Sequence, residues 1–129
     1  PSLAPKVREA AMLLSAAEQH LRDEDGEEAL QTAQSSLSIF REVEDPAGVA
    51  DALRAVVGAR TKLFEHDEAL RVAREELARF RVAGDKRGEA VMLLSVAEAS
   101  ARNEQRSQAL EPALQALAAF RALADQRME

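Results

Sequence analysis

Acidic side chains crowd one short stretch of the sequence, from Asp23 to Glu28, which reads Asp-Glu-Asp-Gly-Glu-Glu. Carboxylates that alternate before a glycine are the pattern of a calcium-binding loop. If Gly26 takes the sixth position of such a loop, the first and twelfth ligand positions fall on Leu21 and Thr32, which offer no carboxylate. The cluster is therefore interpreted as a solvated turn ahead of a helix, where negative charge complements the helix dipole.

Other reactive side chains are too sparse to form a catalytic or metal site. His20 and His66 are the only histidines, and neither has a metal-binding partner one helical turn away. The chain has no cysteine, no glycine-rich phosphate loop after a strand, and no serine in a nucleophile elbow. We therefore expect no catalytic residue, no cofactor and no bound metal, and a protein that is not an enzyme.

Composition favours a helical protein. Of the 129 residues, 47% are hydrophobic but only 3% are aromatic, so the core must be built largely from Ala, Leu and Val, which favour close helix packing. The net charge of -6 argues against nucleic acid as the partner, because phosphate binding needs clustered Lys and Arg. No run approaches the roughly 20 apolar residues that span a bilayer, and no secretory signal pattern begins the chain. The sequence does not fix the compartment, although it favours an intracellular, cytoplasmic location away from membranes.

The sequence repeats itself at a step of forty residues. The pair Ala29-Leu30 recurs as Ala69-Leu70 and Ala109-Leu110. Single positions keep the same step, namely Leu37, Leu77 and Leu117, then Phe40, Phe80 and Phe120, then Asp45, Asp85 and Asp125. Self-similarity of this kind is typical of arrays in which each repeat is one supersecondary unit. We expect a single domain over residues 1–129, with repeats of approximately 3–44, 45–84 and 85–125.

Each repeat is predicted to contain two helices, because apolar residues recur at steps of three and four. Asp45-Pro46 supplies an N-cap carboxylate followed by a proline at the first helical position, which predicts a helix restart there. Ala83-Gly84-Asp85 repeats the stop and the cap. The predicted helices cover about 3–21, 27–42, 46–62, 68–83, 86–102 and 106–124.

Pro112 interrupts the equivalence of the repeats, because its counterparts Thr32 and Val72 lie in the body of a helix. A proline in a helix interior removes one backbone hydrogen bond and crowds a carbonyl. The sequence therefore predicts either a late helix start near Ser107 or a mild kink, or else a hinge or the end of the array.

A helix hairpin repeated in tandem is the architecture of the tetratricopeptide repeat, whose usual unit is about 34 residues. The forty-residue step and the linker Phe-Arg-x-x-x-Asp-x-x-Gly-x-Ala resemble the longer variant found in G-protein-modulator adaptors and in several bacterial regulators. Val82 to Ala90 is the stretch that fits best. The resemblance covers nearly the whole chain and implies an all-α fold, a right-handed superhelical array of three antiparallel helix hairpins.

Small residues replace some of the bulky ones that the family usually carries. An aromatic position in the second helix is occupied by Ala33, Ala73 and Ala113. These changes concern the packing distances between helices and leave the hairpin array itself unchanged. We expect the phenylalanines at 40, 80 and 120 to supply the missing bulk.

The resemblance implies that the first helices of the hairpins line a concave groove. The implied groove residues are Leu14, Glu18, Arg22, Asp51, Arg54, Lys62, Val91, Leu94, Glu98 and Arg102. Four of them are cations able to attract a carboxylate-bearing peptide, but basic residues near helix C-termini also complement the dipole without binding anything. The apolar members at 14, 91 and 94 form either a floor for a peptide or part of the core.

The function implied is a protein-protein interaction scaffold that binds a peptide or a partner helix in this groove. The alternative is a structural segment of a longer solenoid, or a self-associating repeat unit with no dedicated groove ligand. That alternative is motivated by the last helix, where Leu114, Leu117, Phe120 and Leu123 would otherwise be uncovered. A homo-oligomer through uncapped terminal helices is therefore also considered.

Overall fold

The computed structural model describes residues 3–102 and 108–128. These residues form six α-helices and no β-strand, which confirms the all-α prediction. The helices are α1 (Leu3–Arg22), α2 (Gly26–Glu42), α3 (Pro46–Lys62), α4 (His66–Ala83), α5 (Lys86–Ala101) and α6 (Leu110–Met128). No candidate for a membrane-spanning segment occurs among the helices of the described residues.

Each of the first four helices ends in the same left-handed turn. The turn residues Glu24, Glu44, Phe64 and Gly84 have φ angles of 61°, 56°, 63° and 74°, and they follow one another at intervals of twenty residues. In every turn the N–H of the next residue donates to the carbonyl five positions back, at 2.9–3.0 Å. The backbone therefore repeats every twenty residues, half the step seen in the sequence.

Aspartates start three of the helices. Asp25, Asp45 and Asp85 are the N-caps of α2, α3 and α5. Their carboxylates accept the N–H three residues on, at 3.3, 3.1 and 3.0 Å, and so satisfy a donor that has no partner within the helix. The acidic turn before α2 and the restart at Asp45-Pro46 are both helix starts, as the sequence predicted.

The first of two compact units spans residues 1–65 and contains α1, α2 and α3. Helix α2 packs against both of the others, and α1 also contacts α3. Small side chains allow this close packing, since Ala17 and Ala33 are fully buried in one cluster with Val56. A buried hydroxyl joins α2 to α1, because Ser36 Oγ donates to the backbone carbonyl of Ala10 at 2.8 Å.

A phenylalanine lying on a glycine joins α2 to α3. Phe40 is only 4% exposed and packs with Ala10 and Ala52. A Cβ added at Gly48 would lie 2.2 Å from Phe40 Cδ1, so the ring lies directly against the backbone of α3. The expectation that this phenylalanine supplies bulk to the core is confirmed.

The second unit spans residues 66–129, and in it α5 packs against both α4 and α6. The contact between phenylalanine and glycine recurs, because Phe80 is 8% exposed and a Cβ at Gly88 would lie 2.3 Å from its Cδ1. Arg81 Nε also donates to Glu89 at 3.2 Å across the same junction. Phe120, the third member of the series, is half-buried.

Helix α6 starts later than predicted. It begins at Leu110, whereas the sequence placed its start near residue 106. Residues 106 and 107 lie outside the described part of the chain. Pro112 is consequently the third residue of α6, where a backbone N–H has no partner within the helix. The late start was the right alternative, and no kink is needed to accommodate the proline.

Helix α6 also ends differently from α2 and α4. Asp125 stands forty residues after Asp85, yet it lies inside α6, which continues to Met128. Residue 126 corresponds to Pro46 and Lys86, the first residues of α3 and α5. The helix restart of the first two junctions is therefore absent from this stretch of α6.

Candidate interaction surface

Helix α3 is buried around most of its circumference. Most of its residues between 50 and 61 are buried and are Ala, Leu or Val, which is typical of a helix enclosed by its neighbours on several sides. Between residues 50 and 62, five residues keep exposed surface, namely Asp51, Arg54, Gly58, Arg60 and Lys62. The residues at 51, 54, 58 and 62 follow helical steps of three and four, so they share one face. We call these four residues the α3 strip.

Helix α5 is restricted in the same way. Between residues 90 and 100, only Leu94 and Glu98 keep exposed surface, and Arg102 follows as the exposed C-cap residue. These three residues, spaced by four, form the α5 strip. Val91, which was assigned to the same groove, is 5% exposed and lies on the buried side of the helix.

Helix α1 exposes more of its surface than α3 or α5. Leu14 is half-buried and packs against both core clusters of the first unit. Glu18 and Arg22 follow at steps of four and are exposed, so the three residues form the α1 strip. A Cβ at Gly58 of the α3 strip would lie 3.5 Å from Leu21 Cδ1, so α1 and α3 adjoin at this level.

At least three of the four predicted groove cations already interact with other groups of the protein. Lys62 Nζ binds both carboxylate oxygens of Glu24, at 2.7 and 2.6 Å. Arg22 Nη2 donates to Gln19 Oε1 at 2.9 Å. Both cations lie in the last turn of their helices, where positive charge complements the dipole. Arg54 has interactions of its own, but it lies in the middle of α3, where the dipole does not explain a positive charge.

Glu24 was not among the predicted site residues. Its left-handed turn and its bond to Lys62 place it at the end of the α3 strip. The two residues are 38 positions apart in the sequence, and nothing distinguishes Glu24 from its acidic neighbours there. Only the packing of α1, α2 and α3 brings the pair together.

Two shallow depressions lie on other surfaces. The first, of about 490 Å³, is on α1 and is lined by Pro5, Arg8, Glu9, Met12 and Leu13. The second, of about 360 Å³, is on α4 and is lined by Asp67, Leu70, Arg71, Arg74 and Glu75. The hydrogen bonds that Arg71 donates to Glu68, and then those to Glu75, raise the pKa of Arg71 above its ordinary value. That guanidinium is therefore already matched to carboxylates of its own helix.

Metal-binding side chains do not converge in the described residues. Within 3–102 and 108–128, no group of three or more His, Cys, Asp or Glu residues is placed to hold a metal ion.

Comparison with known proteins supports the fold. No protein-family model matches the sequence, and no curated protein matches it. The structure is similar to the crystal structure of the TPR domain of Arabidopsis FLU, with a TM-score of 0.72 over 92% of this chain and 99% of that chain. The fold is tetratricopeptide-like. Sequence identity is 18%, so the likeness concerns the fold alone, and it confirms the resemblance drawn from the forty-residue step.

Proposed function

We propose that this chain is a protein-interaction scaffold in which exposed strips of the first helices, those of α1 and α3 in the first unit and that of α5 in the second, each bind a peptide or a helix of a partner protein. Stacked helix hairpins bury their apolar faces against one another and leave the first helices available to a ligand. The tetratricopeptide-like fold supports this class of function, and we propose no catalytic reaction.

The observation that carries the proposal is the contrast between buried and exposed positions of the first helices. Ala10, Ala50 and Ala90 are identical and 0% exposed, as expected of positions that only pack. Four residues further on, the corresponding residues are Leu14, Arg54 and Leu94, which keep exposed surface. At these two positions the three repeats share alanine where the helix packs, and the second repeat differs from the other two where surface is exposed, which is where specificity is expressed.

The chemistry of the first unit indicates the type of ligand. Arg54 offers a guanidinium in the middle of α3, and guanidinium-carboxylate pairs are among the stronger hydrogen bonds of proteins. Leu14 on the adjoining helix α1 offers a half-buried apolar surface. For the first unit we propose a peptide or helix with a carboxylate for Arg54 and an apolar side chain for Leu14.

Selection from a library of random peptides displayed on phage, with the immobilised chain as bait, tests this assignment. The binding of each selected peptide is then measured by fluorescence anisotropy against wild type and against Arg54→Glu. Loss of a hydrogen bond to a charged group costs about 1.5–3 kcal/mol, so we expect acidic peptides to bind Arg54→Glu at least about tenfold more weakly.

Arg74→Glu is the matched control, because it makes the same charge change at an exposed residue of α4. We expect this variant to bind within about twofold of wild type, since surface charges away from a binding site contribute little. Selected peptides that lose affinity equally for both variants, or for neither, would show that the strip of α3 is not the binding surface.

A further inference from the structure

The exposed side of α6 carries a stripe of large apolar side chains. Leu110, Leu114 and Leu117 are 66%, 52% and 47% exposed and lie at steps of four and three, so they share one face of the helix. The opposite face carries Ala116, which is 3% exposed. A contiguous apolar face of this kind is typical of protein-interaction surfaces.

The stripe does not match a further helix of the array. Gln34 and Arg74 precede Leu114 by eighty and forty residues, and both are exposed although α3 packs on α2 and α5 packs on α4. A helix that covered α6 in the same way would therefore leave position 114 in solvent. The leucine at position 114 therefore indicates a partner that contacts a different side of α6, the side that carries Leu114.

The end of α6 supports the same conclusion. Gly48 and Gly88, which accommodate the rings of Phe40 and Phe80, have Met128 as their counterpart. Residue 126, the counterpart of the first residues of α3 and α5, is still part of α6. Neither the glycine nor the restart that joins one hairpin to the next is present in this stretch.

The stripe is complementary to itself. Two α6 helices can be placed antiparallel about a two-fold axis between residues 115 and 116. Leu114 of each copy then lies beside Leu117 of the other copy. The same register brings Arg121 beside Leu110 and Glu111 of the second copy. Arginine can lay its aliphatic stem along a leucine while its guanidinium reaches the neighbouring carboxylate. Glu111 and Arg121 are both exposed, and Gln115 Nε2 donates to one oxygen of Glu111 at 3.1 Å.

From this charge and shape complementarity we infer that α6 forms an isologous dimer with α6 of a second copy of the chain, antiparallel and centred on Leu114 and Leu117. The interface is small, so it is of the transient class. It lies on a different helix from the α1, α3 and α5 strips, and it does not depend on the proposed ligand binding.

Sedimentation equilibrium of the full chain over a series of concentrations tests the dimer. We expect a monomer-dimer equilibrium with a dissociation constant in roughly the micromolar range. Leu114→Gln, which introduces the residue that α2 carries, is expected to raise that constant at least about tenfold. Met12→Gln is the matched control, because it removes a 73% exposed apolar side chain from α1 and should leave the constant unchanged.

A charge exchange tests the antiparallel register. Glu111→Arg and Arg121→Glu should each weaken dimerisation by about tenfold, and the double variant should restore it, because each pair is then rebuilt with reversed charges. Circular dichroism checks that all variants keep their helical content. A chain that stays monomeric, a Met12→Gln variant that weakens association as much as Leu114→Gln, or a double variant without recovery would each overturn the inference.

Discussion

Substitution of Gly48 by alanine is predicted to destabilise the first unit, although alanine is the better helix former. The new Cβ would lie 2.2 Å from Phe40 Cδ1, well inside van der Waals contact, so the ring would have to retreat by roughly 1 Å. Phe40 is 4% exposed and packed against Ala10 and Ala52, and it has no free space to move into. Overpacking of this kind costs about 1–3 kcal/mol.

The helix propensity of alanine offsets part of this cost. The gain is at most about 1 kcal/mol, and Gly48 lies in the first turn of α3, so we expect a net loss of about 1–2 kcal/mol in the free energy of unfolding. Urea denaturation followed by circular dichroism measures it. Gly88→Ala should behave alike in the second unit, because its Cβ would lie 2.3 Å from Phe80 Cδ1.

Gly58→Ala is the matched control on the same helix. Its nearest neighbour is Leu21 Cδ1 at 3.5 Å, an ordinary contact, so alanine should stabilise the protein by about 0.5–1 kcal/mol. The ring contact itself is tested by adding Gly48→Ala to Phe40→Leu, where the loss should shrink by at least about 1 kcal/mol. A Gly48→Ala variant as stable as wild type would refute the reasoning.

Two further predictions concern the helix junctions. Gly84→Ala should lower the free energy of unfolding by about 1–2 kcal/mol, because φ is 74° and backbone strain is the only cost, with no neighbour near the new Cβ. Glu44→Gly should not lower it, since glycine adopts the φ of 56° found at Glu44 without strain. Thermal melts that rank the two variants the other way would contradict this. Asp85→Ala should cost about 1 kcal/mol through loss of the bond to the Gly88 N–H, and Asp85→Asn, which keeps an acceptor oxygen, should lose less in urea titrations.

The helices of the chain could be predicted from sequence because their determinants are local. Apolar steps of three and four predict α1 to α4, the forty-residue repeat extends the pattern to α5, and Asp45-Pro46 marks a restart by cap chemistry alone. The start of α6 was placed too early because the residues ahead of Leu110 continue a helix-forming composition. The left-handed turns could not be predicted, since three of the four turn residues are Glu24, Glu44 and Phe64 rather than glycine.

Which residues of the candidate site are exposed follows from the fold more than from the sequence. The resemblance named the groove positions, but an apolar helix such as α5 gives no periodic signal for which face is exposed. Val91 and Leu94 look equally apolar in the sequence, yet the first is buried and the second keeps exposed surface. The pairing of Lys62 with Glu24 is likewise a result of packing between distant segments.

Site-specific photo-crosslinking tests the proposed binding surface most directly. Benzoylphenylalanine is introduced either at Glu18, in the α1 strip, or at Val82, which is 91% exposed on α4, and each variant is irradiated with a peptide selected on the wild-type chain. Binding along the first helices of the first unit predicts a crosslink from position 18 and none from position 82. A crosslink from 82 alone, or equal yields from both positions, would contradict the proposal that the first-helix strips bind the ligand.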